Sequence, residues 1–241
     1  MRTSPASDDG LQQAEWYRNP HCPPNLAACE DRPAAFAWTE RPTYDVWMAL
    51  SRRPDFRGQV MAVNRVEQLL RKVTKALEAA RVPYAVVGGN AVAAWVASVD
   101  EGAVRATRDV DILLRRENLA AASAALRPLG LMPVEVLGVS MFVNRRRPNP
   151  KTGVHVVFAQ ERIRAHYAHP APDLTDSVRA ETGFLVIDLP ALVMMKLQSF
   201  RDIDRAHLRD LLSVGLIDSA VLRKLPPDLR SRLKQIQETP E

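Results

Sequence analysis

Two neighbouring stretches decide the fold: "VVGGNAVAAWV" at residues 86–96 and "VRATRDVDILL" at residues 104–114. The first begins as an apolar strand, turns at a glycine pair and continues as an alanine-rich helix. The second alternates two aspartates with apolar residues, which is typical of a strand with one face in the core. Together they predict a strand, a glycine turn, a helix and a second strand, and therefore an α/β domain.

Residues 82–99 carry no charge over eighteen positions, about the length of a membrane-spanning helix. Pro83 and the Gly88-Gly89-Asn90 turn interrupt the stretch, so a buried strand followed by a buried helix explains it better. We expect no membrane segment here. The N-terminal residues "MRTSPASDDG" contain acids and no apolar core, so they do not predict a signal peptide.

The composition is that of a soluble globular protein, with 46% hydrophobic and 25% charged residues among 241. A formal charge of +5 permits an anionic partner, but charge does not distinguish a nucleotide from a nucleic acid. Two cysteines are too few for a disulfide framework, and a cytoplasmic location fits them best.

The chain divides at about residue 60. Residues 1–60 hold seven of the eighteen prolines and no sustained periodicity, which predicts a loosely ordered arm with a short helix near 43–53. Residues 61–241 carry regular patterns and form the predicted domain. Its expected helices are 63–82, 91–97, 116–130, 190–203, 205–214 and 218–236, and its expected strands are 84–87, 109–115, 131–138, 140–144 and 154–160.

The aspartates of the second stretch point to a metal. Asp109 and Asp111 lie on one face of their strand and repel each other unless a cation sits between them. Carboxylate oxygens suit Mg²⁺, which also takes phosphate oxygens. The Gly88-Gly89 turn lets backbone amides at a helix N-terminus approach an anion. Two solvated acids and a tight turn are the simpler explanation for each motif alone, but their pairing is uncommon.

This pairing resembles the nucleotidyltransferase superfamily, whose pattern is a strand, Gly-Gly or Gly-Ser, and then Asp-x-Asp on the next strand. The order Arg105, Thr107, Asp109, Asp111 is similar to the abortive-infection toxin type of toxin–antitoxin systems. "LPALVMMKLQSFRDIDRAHLRDLLSVGLID" at 189–218 also resembles the helical segment of such proteins. The resemblance covers residues 64–236.

The resemblance implies a polymerase-beta-like fold, namely a small mixed sheet with flanking helices and a C-terminal helical part over about 190–236. It also implies transfer of a nucleoside monophosphate from an NTP to a hydroxyl group. Asp109 and Asp111 would hold Mg²⁺, or alternatively Mn²⁺. The expected nucleotide-binding residues are Gly88, Gly89, Asn90, Arg105, Thr107 and Lys196.

His155 departs from the family pattern, which has a third carboxylate on a later central strand. Imidazole binds Mg²⁺ less well than a carboxylate does, although a neutral histidine can act as a general base near pH 7. His155 can also simply fill that face, with chemistry lost, and Glu135 or Glu161 can substitute for it. The sequence therefore leaves open a catalytically weakened nucleotide- or RNA-binding module.

Lys196 falls on the apolar stripe of helix 190–203, which predicts a buried cation whose partner is a triphosphate or a carboxylate; the alternative is that it reaches the surface. The sequence does not name the acceptor, and RNA, tRNA, protein and small molecules stay open. Arginine clusters at 145–147 and 223–234 are either an RNA-binding surface or solvated faces. An antitoxin partner would follow from the toxin type.

Overall fold

The computed structural model describes residues 55–181 and 183–239. The predicted short helix near 43–53, and the predicted arm as far as residue 54, lie outside the described residues. Residues 56–60, which were assigned to the arm, belong instead to the first helix.

Helix α1 spans Phe56–Ala79 and begins earlier than its apolar pattern suggested. Asp55 caps it, because its side chain accepts a hydrogen bond from the Gly58 N–H. The apolar stripe buries Leu70, Val73 and Leu77 against the domain. The first turns of α1 are largely exposed, so no apolar periodicity marked them in the sequence.

The described residues form one mixed sheet of seven strands, ordered β3-β4-β5-β2-β1-β7-β6. β2 runs parallel to β5 and β1 runs parallel to β7, while the remaining neighbours are antiparallel. The strands are β1 (Ala85–Val87), β2 (Val110–Leu114), β3 (Leu131–Val136), β4 (Val139–Asn144), β5 (Val154–Phe158), β6 (Ser177–Arg179) and β7 (Leu185–Ile187).

Helices flank this sheet and dominate the C-terminal part of the described chain, as the sequence predicted. After α1 they are α2 (Gly88–Ala97), α3 (Leu119–Leu126), α4 (Leu189–Ser199), α5 (Asp202–Ser213), α6 (Ser219–Lys224) and α7 (Pro227–Glu238). The mixed α/β class with a helical C-terminal segment is therefore confirmed. Among these residues no helix is long and apolar enough to span a bilayer.

Three details of the secondary structure differ from the sequence predictions. β6 and β7 were missed although β1 is equally short, because the glycine pair that follows β1 marked its end, whereas β6 has a single apolar residue and β7 has no such turn after it. Helix α4 ends at Ser199, where Phe200 takes a left-handed conformation with φ 48°. The helix predicted over 218–236 is two helices, because Pro226 and Pro227 interrupt it.

The central register of the sheet positions the candidate site. Val87 at the end of β1 lies opposite Asp111 on β2, and Asp111 lies opposite His155 on β5. The chain leaves the sheet immediately after Val87 to begin α2 at Gly88. One row across three strands therefore brings the glycine turn, an aspartate and a histidine to the same place.

Candidate active site

The glycine turn and Asp111 are in close contact. Gly88 has φ +69°, and a Cβ added there would lie 2.0 Å from Asp111 Oδ2. Only glycine adopts this conformation readily while leaving room for the carboxylate. The glycine therefore allows a side chain of the neighbouring strand to pack against the first turn of α2, a function that its sequence context alone did not reveal.

Asp111 is paired with His155. Their side chains lie 3.3 Å apart, measured from His155 Nδ1 to Asp111 Oδ1, and each is about a quarter exposed, at 25% and 27%. The hydrogen bond to Asp111 is the main reason that the pKa of His155 is raised above its ordinary value, against the opposing effect of burial. The structure thus brings these two predicted site residues together.

Asp109 comes immediately before β2 and is held through its backbone. Its carbonyl oxygen accepts a hydrogen bond of 2.6 Å from Asn90 Nδ2, and Asn90 is buried. Burial raises the pKa of the Asp109 carboxyl, and the charge of Asp111 adds to this, while His155 opposes it. A carboxylate that is both desolvated and repelled by a neighbour is stabilised by a bound cation.

Thr107 and His207 pack against the second glycine. A Cβ at Gly89 would lie 2.6 Å from Thr107 Oγ1 and 3.6 Å from His207 Cε1. Thr107 precedes β2, whereas His207 belongs to α5. The first turn of α2 is therefore enclosed by residues from two distant parts of the chain.

Arg105 is already engaged with another side chain of the domain. Its guanidinium donates two hydrogen bonds to Asp210, from Nε at 2.8 Å and from Nη2 at 3.0 Å. This bidentate pair links the segment before β2 to helix α5. The expectation that Arg105 binds nucleotide stays a prediction, because a ligand would have to share the arginine with Asp210.

Lys196 is buried, as its position on the apolar stripe predicted, and the structure supplies its partner. Lys196 Nζ lies 3.0 Å from Oδ1 of Asp204, whose side chain is fully buried. Asp204 also accepts hydrogen bonds from Ser199 Oγ and from the Arg201 side chain. These contacts lower the pKa of Asp204 to about 2, although burial opposes them. A carboxylate, one of the two partners foreseen for Lys196, therefore lies beside it.

Arg201 extends this cluster towards the aspartates. Its pKa is raised chiefly by hydrogen bonding to Asp204, with smaller contributions from the charges of Tyr167 and Asp111. The charge of Asp111 on β2 therefore has a small effect on Arg201, which precedes α5. Two separate groups of contacts are therefore present: Gly88 with Asp111 at the sheet, and Asp204 with Lys196 and Arg201 between α4 and α5.

The substitutes considered for the third carboxylate lie elsewhere. Glu161 pairs with Arg116 through two hydrogen bonds of 2.7 and 2.6 Å, which lower the pKa of the glutamate. Glu135 lies on β3, at one edge of the sheet. Over residues 55–181 and 183–239, no three or more His, Cys, Asp or Glu side chains form a group able to hold a metal ion. Asp109 and Asp111 therefore remain the two candidate carboxylate ligands for a metal ion.

Sequence reasoning assigned no chemistry to Asp204, His207 and Asp210, yet all three belong to the site's surroundings. They are spaced three residues apart on α5, so they lie along one face of that helix. Their regular spacing beside Leu208 and Leu211, which are buried, is the sequence feature that could have indicated that these polar residues face the interior. Its meaning depended on where the helix packs, which the spacing does not reveal.

No protein-family model matches the sequence, and no curated protein matches it either. Several solved structures resemble the structure of this chain, at low sequence identity. The solution structure of the antibiotic-resistance factor ANT(2'')-Ia has 16% identity and a TM-score of 0.46, covering 70% of this chain and 94% of the other. The crystal structure of ANT(2'')-Ia with adenylyl-2''-tobramycin has 15% identity and a TM-score of 0.45, covering 70% and 95%.

A third similar structure is an antigenic nucleotidyltransferase-like protein from Paracoccidioides brasiliensis. It has 17% identity and a TM-score of 0.43, and the match covers 71% of this chain and 93% of that one. All three TM-scores lie below 0.5, so the function of this chain has to be inferred from its own residues.

The first prediction concerns Gly88. In Gly88→Ala the added Cβ must displace Asp111, so we expect a larger loss of stability than the roughly 1 kcal/mol of a left-handed alanine. Gly138→Ala is the matched control, because Gly138 has φ +75° with nothing within 4 Å of the added atom. Urea unfolding of both variants measures the difference, and equal losses would contradict the close contact with Asp111.

The second prediction concerns His207, whose pKa is lowered to about 4 by burial and by the charge of Lys196. Above pH 6.5 the imidazole is neutral in both the folded and the unfolded chain, so it does not change the free energy of unfolding with pH. Between pH 6.5 and about 4 the unfolded chain binds a proton that the folded chain excludes, so stability falls as the pH falls.

We expect His207→Gln to remove this dependence, which amounts to about 3 kcal/mol by pH 4. The free energy of unfolding, measured from pH 7 to pH 4 for both proteins, tests this. Parallel curves for wild type and variant would show that His207 titrates normally in the folded protein.

Proposed function

We propose that this protein is a metal-dependent nucleotidyltransferase, which moves a nucleoside monophosphate from an NTP to a hydroxyl acceptor. The observation that carries the proposal is the close approach of the Gly88 turn to Asp111, with 2.0 Å between Asp111 Oδ2 and the position of an added Cβ. This contact supports a site in which the start of α2 would bind phosphate and Asp111, together with Asp109, would bind the metal.

Asp109 and Asp111 are the residues that would hold the divalent cation, Mg²⁺ or Mn²⁺. Burial is the main reason that the pKa of Asp109 is raised, and the charge of Asp111 adds to it while the charges of His155 and Arg108 oppose it. A cation bound here would offset both the burial of the carboxylate and its repulsion by Asp111. Bound there, the cation would supply charge that neutralises the phosphate oxygens during in-line displacement.

The triphosphate would lie on the first turn of α2. No side chain caps this helix, since Val87 occupies the N-cap position, so its first amides are available as donors. Lys196 and Arg201 pair with Asp204, and Arg105 pairs with Asp210; in this proposal Lys196 and Arg105 would also contact the triphosphate. Asn90 and Thr107 would act by positioning the Asp109 backbone, towards which both direct hydrogen bonds.

His155 has the place that an acid takes in the resembling family, opposite Asp111 on the parallel strand β5. Bonded to Asp111 at 3.3 Å, it orients that carboxylate. The same observation favours the second candidate function, a catalytically weakened nucleotide- or RNA-binding module, because an imidazole replaces an oxygen ligand.

The acceptor is an RNA such as tRNA, a protein or a small molecule in this proposal. The toxin type, with an antitoxin partner, is supported by the order of Arg105, Thr107, Asp109 and Asp111. The cytoplasmic location is supported by the presence of only two cysteines. A short antitoxin-like reading frame beside the gene would support the toxin type further.

The third prediction tests the transferase. Full-length protein is incubated with each labelled NTP, Mg²⁺ or Mn²⁺, and total RNA or protein. We expect label transfer by the wild type and a loss of at least about a hundredfold in Asp109→Asn and Asp111→Asn, because removing charge stabilisation has effects of that order. Glu67→Gln is the matched control, since Glu67 forms only an exposed pair with Arg71.

Retained NTP binding without transfer, under either metal, would favour the binding module over the enzyme. Label transfer that persists in both aspartate variants would show that these residues do not form the active site.

The fourth prediction concerns His155→Asp. A third carboxylate beside Asp111 should strengthen Mg²⁺ binding by about tenfold, because Mg²⁺ prefers oxygen ligands. Titration calorimetry with Mg²⁺ alone measures this, and His155→Asn provides a neutral control. Unchanged affinity in the aspartate variant would show that His155 does not face the metal position.

A further inference from the structure

A cavity of about 260 Å³ lies at the C-terminal end of α2. Its walls come from the end of α2 and the turn that follows, and from β6, the residues just after it and β7. Helix α2 spans ten residues, so its two ends are about 14 Å apart along the axis. The cavity is therefore separate from the Gly88 turn and from the two aspartates.

Most of the cavity wall is apolar. It is formed by Trp95, Val178, Val186 and three alanines. Trp95 is only partly buried, and its Nε1–H donates a hydrogen bond of 3.0 Å to the carbonyl oxygen of Ile187, which holds the ring in place. Ligand sites for drug-sized molecules usually measure about 300–1,000 Å³, so this cavity suits a smaller molecule with an apolar body.

The charged residues of the cavity favour a cation. Three of the lining residues are charged, namely Glu101, Arg179 and Glu181. The arginine is already engaged, because its Nη1 lies 3.1 Å from Glu78 Oε1 and also donates to the carbonyl oxygen of Gly183. Over residues 55–181 and 183–239, neither of the two lining glutamates forms an ion pair. The C-terminal end of α2 adds partial negative charge.

These features together select one chemical class of ligand. An anion would be repelled by the two glutamates, and a neutral molecule would gain nothing from them. A metal ion needs several donor atoms at one point, and within the described part of the chain no three His, Cys, Asp or Glu side chains are grouped in that way. An organic cation can use both parts of the wall, because ammonium groups are attracted to carboxylates and to the face of an indole ring.

We propose that this cavity binds a small organic cation with an apolar body, such as a quaternary ammonium compound. Trp95 would contact the alkyl groups around the charged nitrogen, while Glu101 and Glu181 would supply the opposite charge. The inference does not depend on the proposed transferase activity, since the cavity shares no residue with the Gly-Gly turn or with the Asp-x-Asp strand.

The test is an NMR titration of the full chain with choline and, separately, with its neutral analogue, in which a tert-butyl group replaces the trimethylammonium group. We expect the wild type to bind choline at least about tenfold more tightly than the analogue, because only choline is attracted to the ring and to the carboxylates. In Trp95→Leu the affinity for choline should fall about tenfold, as for the loss of one partly desolvated cation–π contact.

The double variant Glu101→Gln/Glu181→Gln tests the charges by themselves. Both positions are exposed, so this variant remains informative if Trp95→Leu does not fold. We expect its affinity for choline to fall about fivefold, as for two exposed ion pairs, with unchanged binding of the neutral analogue. Glu67→Gln is the matched control, because it removes an exposed carboxylate on α1, and it should bind choline as the wild type does.

No binding of choline by the wild type, or equal affinities for choline and its neutral analogue, would overturn the inference. An affinity for choline that the cavity variants do not change would overturn it too. Loss of choline binding in Asp111→Asn, with the cavity variants unaffected, would place the cation at the aspartate pair and contradict the proposal. Each of these results leaves the proposed transfer of a nucleoside monophosphate to be decided by its own assay.

Discussion

The contact between Gly88 and Asp111 is the constraint on which the site depends. β1 and β2 pair so that the last residue of β1, Val87, lies opposite Asp111, and the chain must turn away at once to start α2. A side chain at residue 88 would occupy the position of the carboxylate, 2.0 Å from Oδ2. Strand pairing, helix start and carboxylate position are thus fixed by one backbone conformation.

The C-terminal helices complete the site by a second constraint, the buried carboxylate of Asp204. It accepts hydrogen bonds from Lys196 on α4, from Ser199 at the end of α4 and from Arg201 before α5. Removing any partner would leave a buried charge partly uncompensated, which is costly. This network fixes the corner between α4 and α5 and thereby determines where His207 and Asp210 face.

Much of the fold followed from local pattern. The strand, glycine turn and helix at 84–97 were predicted from apolar runs and from the positions of glycine and proline. Strands β1 to β5 were all predicted. β6 and β7 were not, because neither has the glycine pair that marked the equally short β1. In the site, strand geometry predicted that Asp109 and Asp111 share one face, and the structure begins β2 at Val110, one residue after Asp109. The burial of Lys196 was predicted from the apolar stripe of its helix. Its partner Asp204 was not predicted, because the pattern of a single helix does not show how two consecutive helices pack.

The sequence by itself predicted that Asp109 and Asp111 share a face and that Lys196 lies on the apolar stripe of its helix. Only the tertiary structure decided which faces meet. It set Asp111 beside His155 through the parallel pairing of β2 and β5, paired Glu161 with Arg116, and brought His207 against Gly89. The physical reason is that periodicity is a local property of the backbone, whereas register and helix packing depend on burying apolar surface from segments far apart in the chain.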